Sequence, residues 1–176
     1  PSQVAQAALA ALCFAIYHDT LSFEFLALGD YPAIVARDAV RIGLNRETLG
    51  AALFQPAPGG WQPLTTISHA LAITLFGSNP AAHHAVNVIL HAFASVLAFR
   101  VFARHSGLQA ASFVAAALFA AHPLQTENVA WISGRTATLS ALFALLALDR
   151  FLSGGSGRKA FWSGLALLLL GMLFNP

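Results

Sequence analysis

The stretch His122-Pro123-Leu124-Gln125-Thr126-Glu127-Asn128-Val129-Ala130-Trp131-Ile132-Ser133-Gly134-Arg135 decides how this chain is read. It is an island of polar and ionisable groups between two apolar runs, residues 112–121 and 139–148. A proline, a glutamate and an arginine at the mouth of a membrane are costly unless they are paired or wet. The island therefore reads as a site or the relic of one, and the flanking runs as membrane helices.

Composition supports that reading. The chain is 57% hydrophobic and 9% charged, whereas a soluble domain carries about 25% charged residues. Its mean hydropathy is +0.68. Apolar segments recur along the whole length, which excludes a secreted domain behind a signal peptide. The single cysteine, Cys13, allows no disulfide within the chain. A formal charge of +2 is too small to point to nucleic acid. No Cys/His set has zinc spacing, and neither a phosphate loop nor a nucleophile triad is present, so no metal site is predicted.

The expected fold is an all-α, polytopic helical membrane protein forming one membrane domain over residues 1–176. About five transmembrane helices are predicted, at 4–17, 81–102, 108–121, 136–152 and 160–174. The run 64–76 is too short to span and suits an interfacial or re-entrant helix. The first span falls short of the roughly 20 residues a crossing needs. With no initial Met, a chain clipped at one or both ends is expected. Arg100, Arg104, Arg150, Arg158 and Lys159 share one side with Asp149 as its only acid. The other side carries Arg37, Arg41, Arg46 and Arg135 against Asp19, Glu24, Asp30, Asp38, Glu47 and Glu127. The basic side is expected to be cytoplasmic. The long first loop, residues 18–66, is then periplasmic in a bacterial inner membrane.

That loop has helical pattern of its own. Segments 38–44 and 45–54 read as short amphipathic helices, the second capped by Asn45. Pro56-Ala57-Pro58-Gly59-Gly60 breaks the chain, and Trp61 stands where an interfacial aromatic anchor belongs. Residues 153–159, with the Ser153-Gly154-Gly155-Ser156-Gly157 tract, read as a flexible cytoplasmic turn.

Four motifs occur in order: Trp61-Gln62-Pro63-Leu64-Thr65, Phe76-Gly77-Ser78-Asn79-Pro80, His83-His84-Ala85-Val86-Asn87-Val88-Ile89-Leu90-His91-Ala92, and the His122 to Arg135 stretch. Together they resemble the N-terminal membrane half of the transmembrane, tetratricopeptide-repeat O-mannosyltransferases, a family with the type C glycosyltransferase fold. The resemblance runs from about Tyr17 to Pro176 and implies a polyprenyl-phosphate sugar donor, with transfer to a protein hydroxyl on the external side. It also implies further spans and a soluble repeat domain. By resemblance, two adjacent acids belong early in the first external loop, where this chain has Gly29-Asp30. A carboxylate there would serve as general base or position the acceptor hydroxyl. Glu127 is the second residual catalytic candidate. Arg135, with His122, would hold the lipid phosphate, arginine as a bidentate donor. The family has another acid two positions after that arginine, where this chain has Ala137.

Simpler readings accompany these. Asp30 reads equally as a solvated or capping acid, and Glu127 with Arg135 as a structural ion pair. His91 lies deep in a span, where a histidine can ligate haem or a chlorophyll magnesium. A buried hydrogen bond to Asn87 or to a neighbouring helix is the simpler role. Two functions from different classes follow. One is a non-catalytic accessory or structural subunit of a larger membrane assembly, respiratory or photosynthetic for example, built on a degenerate transferase module and needing no cofactor. The alternative is an active O-glycosyltransferase using a polyprenyl-phosphate sugar donor. The expected partners are the lipid bilayer and other integral membrane proteins. Small residues such as Ala92, Ser95, Ala116, Ala117 and Gly164 are expected to let partner helices approach closely.

Overall fold

A computed structural model describes residues 2–27, 29–57, 60–153 and 157–174. The chain is an all-α membrane protein, with no strand among the described residues. In order the helices are α1 (Gln3–Tyr17), α2 (Asp38–Arg41), α3 (Arg46–Phe54), α4 (Pro63–Phe76), α5 (Pro80–Ser106), α6 (Gln109–Ala121), α7 (Gln125–Ala130), α8 (Arg135–Leu152) and α9 (Arg158–Met172). Short 3₁₀ turns at His18–Ser22 and Ile132–Gly134 extend α1 and precede α8, and a π turn covers Tyr31–Val35. Among the described residues, three helical segments are long and apolar enough to cross a membrane: Gln3–Ser22, Pro80–Ser106 and Ile132–Leu152. The expected third and fifth spans are shorter helices, α6 with 13 residues and α9 with 15, packed beside the long ones.

Local chemistry sets the boundaries. The Asn79 side chain accepts from the Ala81 amide, and Pro80 opens α5. Gly107, at φ +70°, closes it, its amide donating to the Ala103 carbonyl. Pro123 forces His122 into an extended conformation, which ends α6. In the external loop, Asn45 caps α3 by accepting from the Thr48 amide, as its sequence predicts. Part of the Pro56–Gly60 break, Pro58 and Gly59, and the centre of the glycine turn, Gly154 to Ser156, lie outside the described residues.

α1 and α6 run antiparallel to α5. Leu9 packs with Phe99, Ala103 and Ala116, and Cys13 and Ser95 are in hydrogen-bond contact at 3.6 Å. Nearer the polar end, the Tyr17 hydroxyl donates to the Ala120 carbonyl, and its ring meets His91 edge-on. At the opposite end, Arg104 pairs with Asp149 and donates to Ser153, tying α5 to α8. The basic loops therefore share one end of the bundle and the polar island shares the other with the first loop. The expected partner face needs correction. Ala92, Ser95 and Ala116 are buried between α1, α5 and α6, and Gly164 is buried against Phe151 of α8. Lipid tails are as apolar as leucine, so close packing at small residues holds these helices together within the chain.

Candidate functional site

The site lies where α5, the π turn, α4 and the 122–135 island meet. Its centre is Arg135, the largest fully buried side chain among the described residues. Nε donates to Asn87 Oδ1 at 2.8 Å, one Nη to the His83 carbonyl at 3.1 Å and the other to the Ser68 carbonyl at 3.5 Å. The amide nitrogen of Asn87 donates to the carbonyls of Trp131 (2.9 Å), Ile132 (3.3 Å) and Val129 (3.4 Å). One asparagine thus accepts from a buried cation and shares its two amide hydrogens among three carbonyls at the α7–α8 junction, which helps a buried charge to be tolerated.

The expected pairing of Glu127 with Arg135 does not form. No ion pair joins them among the described residues, and the donors of Arg135 point to protein acceptors in α4 and α5 while Glu127 is exposed on α7. The 3₁₀ turn turns the arginine inward, away from the last turn of α7.

Asp30 is fully buried, not a solvated acid. Its Oδ1 accepts from both the amide and the hydroxyl of Ser133, each at 2.7 Å, and Oδ2 accepts from the Leu26 amide at 3.1 Å. It clips the first loop to the turn that starts α8. Beside it, a Cβ on Gly29 would lie 2.6 Å from Cε2 of Trp131 and closer still to Cζ2. The indole fills the place where the resemblance implies a second acid.

Two openings flank that indole. A polar cavity of about 340 Å³ is lined by Arg37, Thr65, Thr66, His69, Ser133 and Glu127, among others. An apolar groove of about 710 Å³ is lined by Phe23, Phe25, Leu26, Ala130 and also Glu127. Trp131 and Glu127 border both. Around the polar cavity, Arg37 donates to the Thr66 hydroxyl at 3.0 Å. Burial pushes the Arg37 guanidinium below its usual basicity. Burial, reinforced by the positive charges of Arg135 and Arg37, holds the His69 imidazole well below its ordinary 6.5, so it is neutral.

His122 is exposed where α6 ends, its Nδ1 accepting from the Leu124 amide at 3.2 Å. His91 Nε2 is 3.1 Å from the Ala120 carbonyl. It is the neighbouring helix, not Asn87, that partners it. No group of residues with metal-binding geometry occurs among the described residues. Asn87, Trp131, Ser133, Arg37 and His69 matter to the site, yet reading the sequence assigned none of them a site role. Asn87, Trp131 and Ser133 did stand inside recognised motifs; nothing marked the other two.

No family model matches the chain, and no solved structure matches it. Several curated proteins do. Protein O-mannosyl-transferase Tmtc1 of Drosophila melanogaster is 32% identical over 171 residues, covering 93% of this chain and 20% of its own length. Protein O-mannosyl-transferase TMTC1 of Mus musculus is 40% identical over 108 residues, 57% of this chain and 11% of its own. Protein O-mannosyl-transferase TMTC4 of Homo sapiens is 35% identical over 130 residues, 62% of this chain and 18% of its own. The resemblance read from the four motifs is borne out, and the chain spans a fifth or less of the length of these relatives. They are animal proteins, so integral membrane location stands without the bacterial source expected from the sequence.

Proposed function

We propose that this chain is a glycosyltransferase-like membrane module that holds a lipid-linked phosphate but supplies no base for transfer from Asp30. The observation that carries the reading is the enclosure of Asp30 beside an indole-filled Gly29, next to two open cavities. A general base must reach the proton it takes. Both oxygens of Asp30 are held by backbone amides and Ser133, and Asp30 itself lines neither cavity. The apolar groove suits a polyprenyl chain and the polar cavity its phosphorylated head. In the membrane the site faces away from the cytoplasm and the basic loops face it. Such a module acts as an accessory subunit beside other membrane proteins.

A second reading, active O-glycosyl transfer, draws on the relatives' names and on Glu127, the exposed acid bordering both cavities. In that case a hydroxyl oxygen bonds to the sugar's anomeric carbon, the bond from that carbon to phosphate breaks, and Glu127 takes the hydroxyl proton. Extraction in neutral detergent, followed by mass spectrometry of co-purifying lipid, tests the proposal. A bound polyprenyl phosphate, with or without sugar, is expected. Only bulk phospholipid in the preparation would overturn it.

A further inference from the structure

Three residues that line the polar cavity carry buried polar atoms with no hydrogen-bond partner: Arg37 at Nη2, His69 at Nδ1 and Trp131 at Nε1. A buried donor left unpaired carries its whole desolvation penalty, and native proteins leave few such groups without a ligand, ion or water. Here three belong to the lining of one cavity, and those of Arg37 and His69 lie with the α4 wall. His69 is 3% exposed. With His69 neutral, its Nδ1–H tautomer is a donor, as is the guanidinium. The other guanidinium nitrogen, bonded to Thr66, holds the fork in place. Thr65 and Thr66 bring the first turn of the 14-residue α4 to the same wall, where the helix dipole favours negative charge; the Leu64 amide there donates to the Leu173 carbonyl, which among the described residues leaves the Thr65 amide for a ligand.

We infer that Arg37, His69 and the first turn of α4 form the anion subsite of this cavity, for a tetrahedral phosphoryl group. The inference deepens the proposed function and rests on it for the cavity being the ligand site. It moves the phosphate from Arg135 and His122, the residues the sequence suggests, to side chains that have donors to give. Arg135 lies behind the wall with its described bonds made to protein acceptors. Glu127 borders the cavity from α7 and adds no donor. The head of the ligand therefore sits toward α4, and Glu127 is left to the part of the ligand beyond the phosphate.

The test is a titration of the chain in phosphatidylcholine nanodiscs with inorganic phosphate, a polyprenyl phosphate and the uncharged polyprenol. Binding of both phosphates assigns a free anion site; binding of the polyprenyl phosphate alone assigns a lipid headgroup site. In either case Arg37→Gln should weaken phosphate binding about tenfold or more, the loss of a charge-assisted bond. Polyprenol binding should not change, and Arg37→Lys should restore part of the loss. Nitrogen NMR of wild-type His69 supplies a readout that survives a poorly folding variant: its Nδ1 resonance should move on phosphate addition. Unchanged phosphate affinity in Arg37→Gln and His69→Gln, with wild-type binding intact, would remove the subsite and leave the proposed function standing. No binding of either phosphate by wild type would remove both.

Discussion

Placing a methyl group on Gly29 probes the feature that sets this site apart. The added Cβ would lie 2.6 Å from Trp131 Cε2 and 2.7 Å from Nε1, against the roughly 3.5–4.0 Å of a relaxed carbon contact. Cζ2 is nearer still, so the misfit exceeds about 1 Å. The backbone on both sides is held, so relief has to come from a shift of the indole. The Trp131 carbonyl is bonded to Asn87, and Gly29 is held next to the Asp30 clip. Overpacking of this kind costs about 1–3 kcal/mol. The φ of Gly29 is not in the left-handed region, so the lost freedom of the unfolded chain returns only about 0.4–1 kcal/mol. Gly29→Ala is therefore destabilising on balance. In a Trp131→Ala background the overlap is gone, and the same substitution becomes neutral or slightly stabilising. The four proteins of that cycle, unfolded reversibly in mixed micelles, should show a coupling of about 1–3 kcal/mol. Additive effects would refute the claim that the indole occupies the missing side chain's place.

Asn87→Leu should destabilise by about 3–5 kcal/mol in the same unfolding assay, because it strips a buried cation of its acceptor; a loss within experimental error would refute the hub. Asp30→Ala leaves the Ser133 and Leu26 amides unpaired at about 1–3 kcal/mol each, whereas Glu127→Ala, on an exposed face, should stay within about 0.5 kcal/mol. Since His69 is held below its ordinary 6.5, the unfolded chain binds the proton first. Stability should be complete above that pH and fall as pH drops through it, by about 1.4 kcal/mol per unit; His69→Gln should remove that component. Single cysteines at Ser106 and Leu124, in a Cys13→Ser background, should label from opposite sides of the membrane, Ser106 from the cytoplasm.

What could be read along the chain is what depends on neighbours in sequence. The caps of α3 and α5, the end of α6 at Pro123 and the alternation of basic and polar ends all follow from local residues. Which apolar face meets lipid and which meets another helix is not local. Ala92, Ser95 and Ala116 therefore looked like partner contacts, while the structure places them between α1, α5 and α6. The site divides in the same way. Glu127 and Arg135, close in sequence, invited pairing, but the turn at Ile132–Gly134 sends the arginine to Asn87, 48 residues away. The clip from Asp30 to Ser133 and the filling of Gly29's space by Trp131 join segments about a hundred residues apart, and nothing in either segment announces the other.

The most direct test of the central claim is a transfer assay on the gene product in its native membrane. A radiolabelled polyprenyl-phosphate mannose is supplied as donor and a hydroxyl-bearing peptide as acceptor. The labelled lipid should be retained and no label should reach the peptide, with Asp30→Asn changing stability but not the label count. Steady transfer of label that Asp30→Asn abolishes, with the protein still folded, would contradict it.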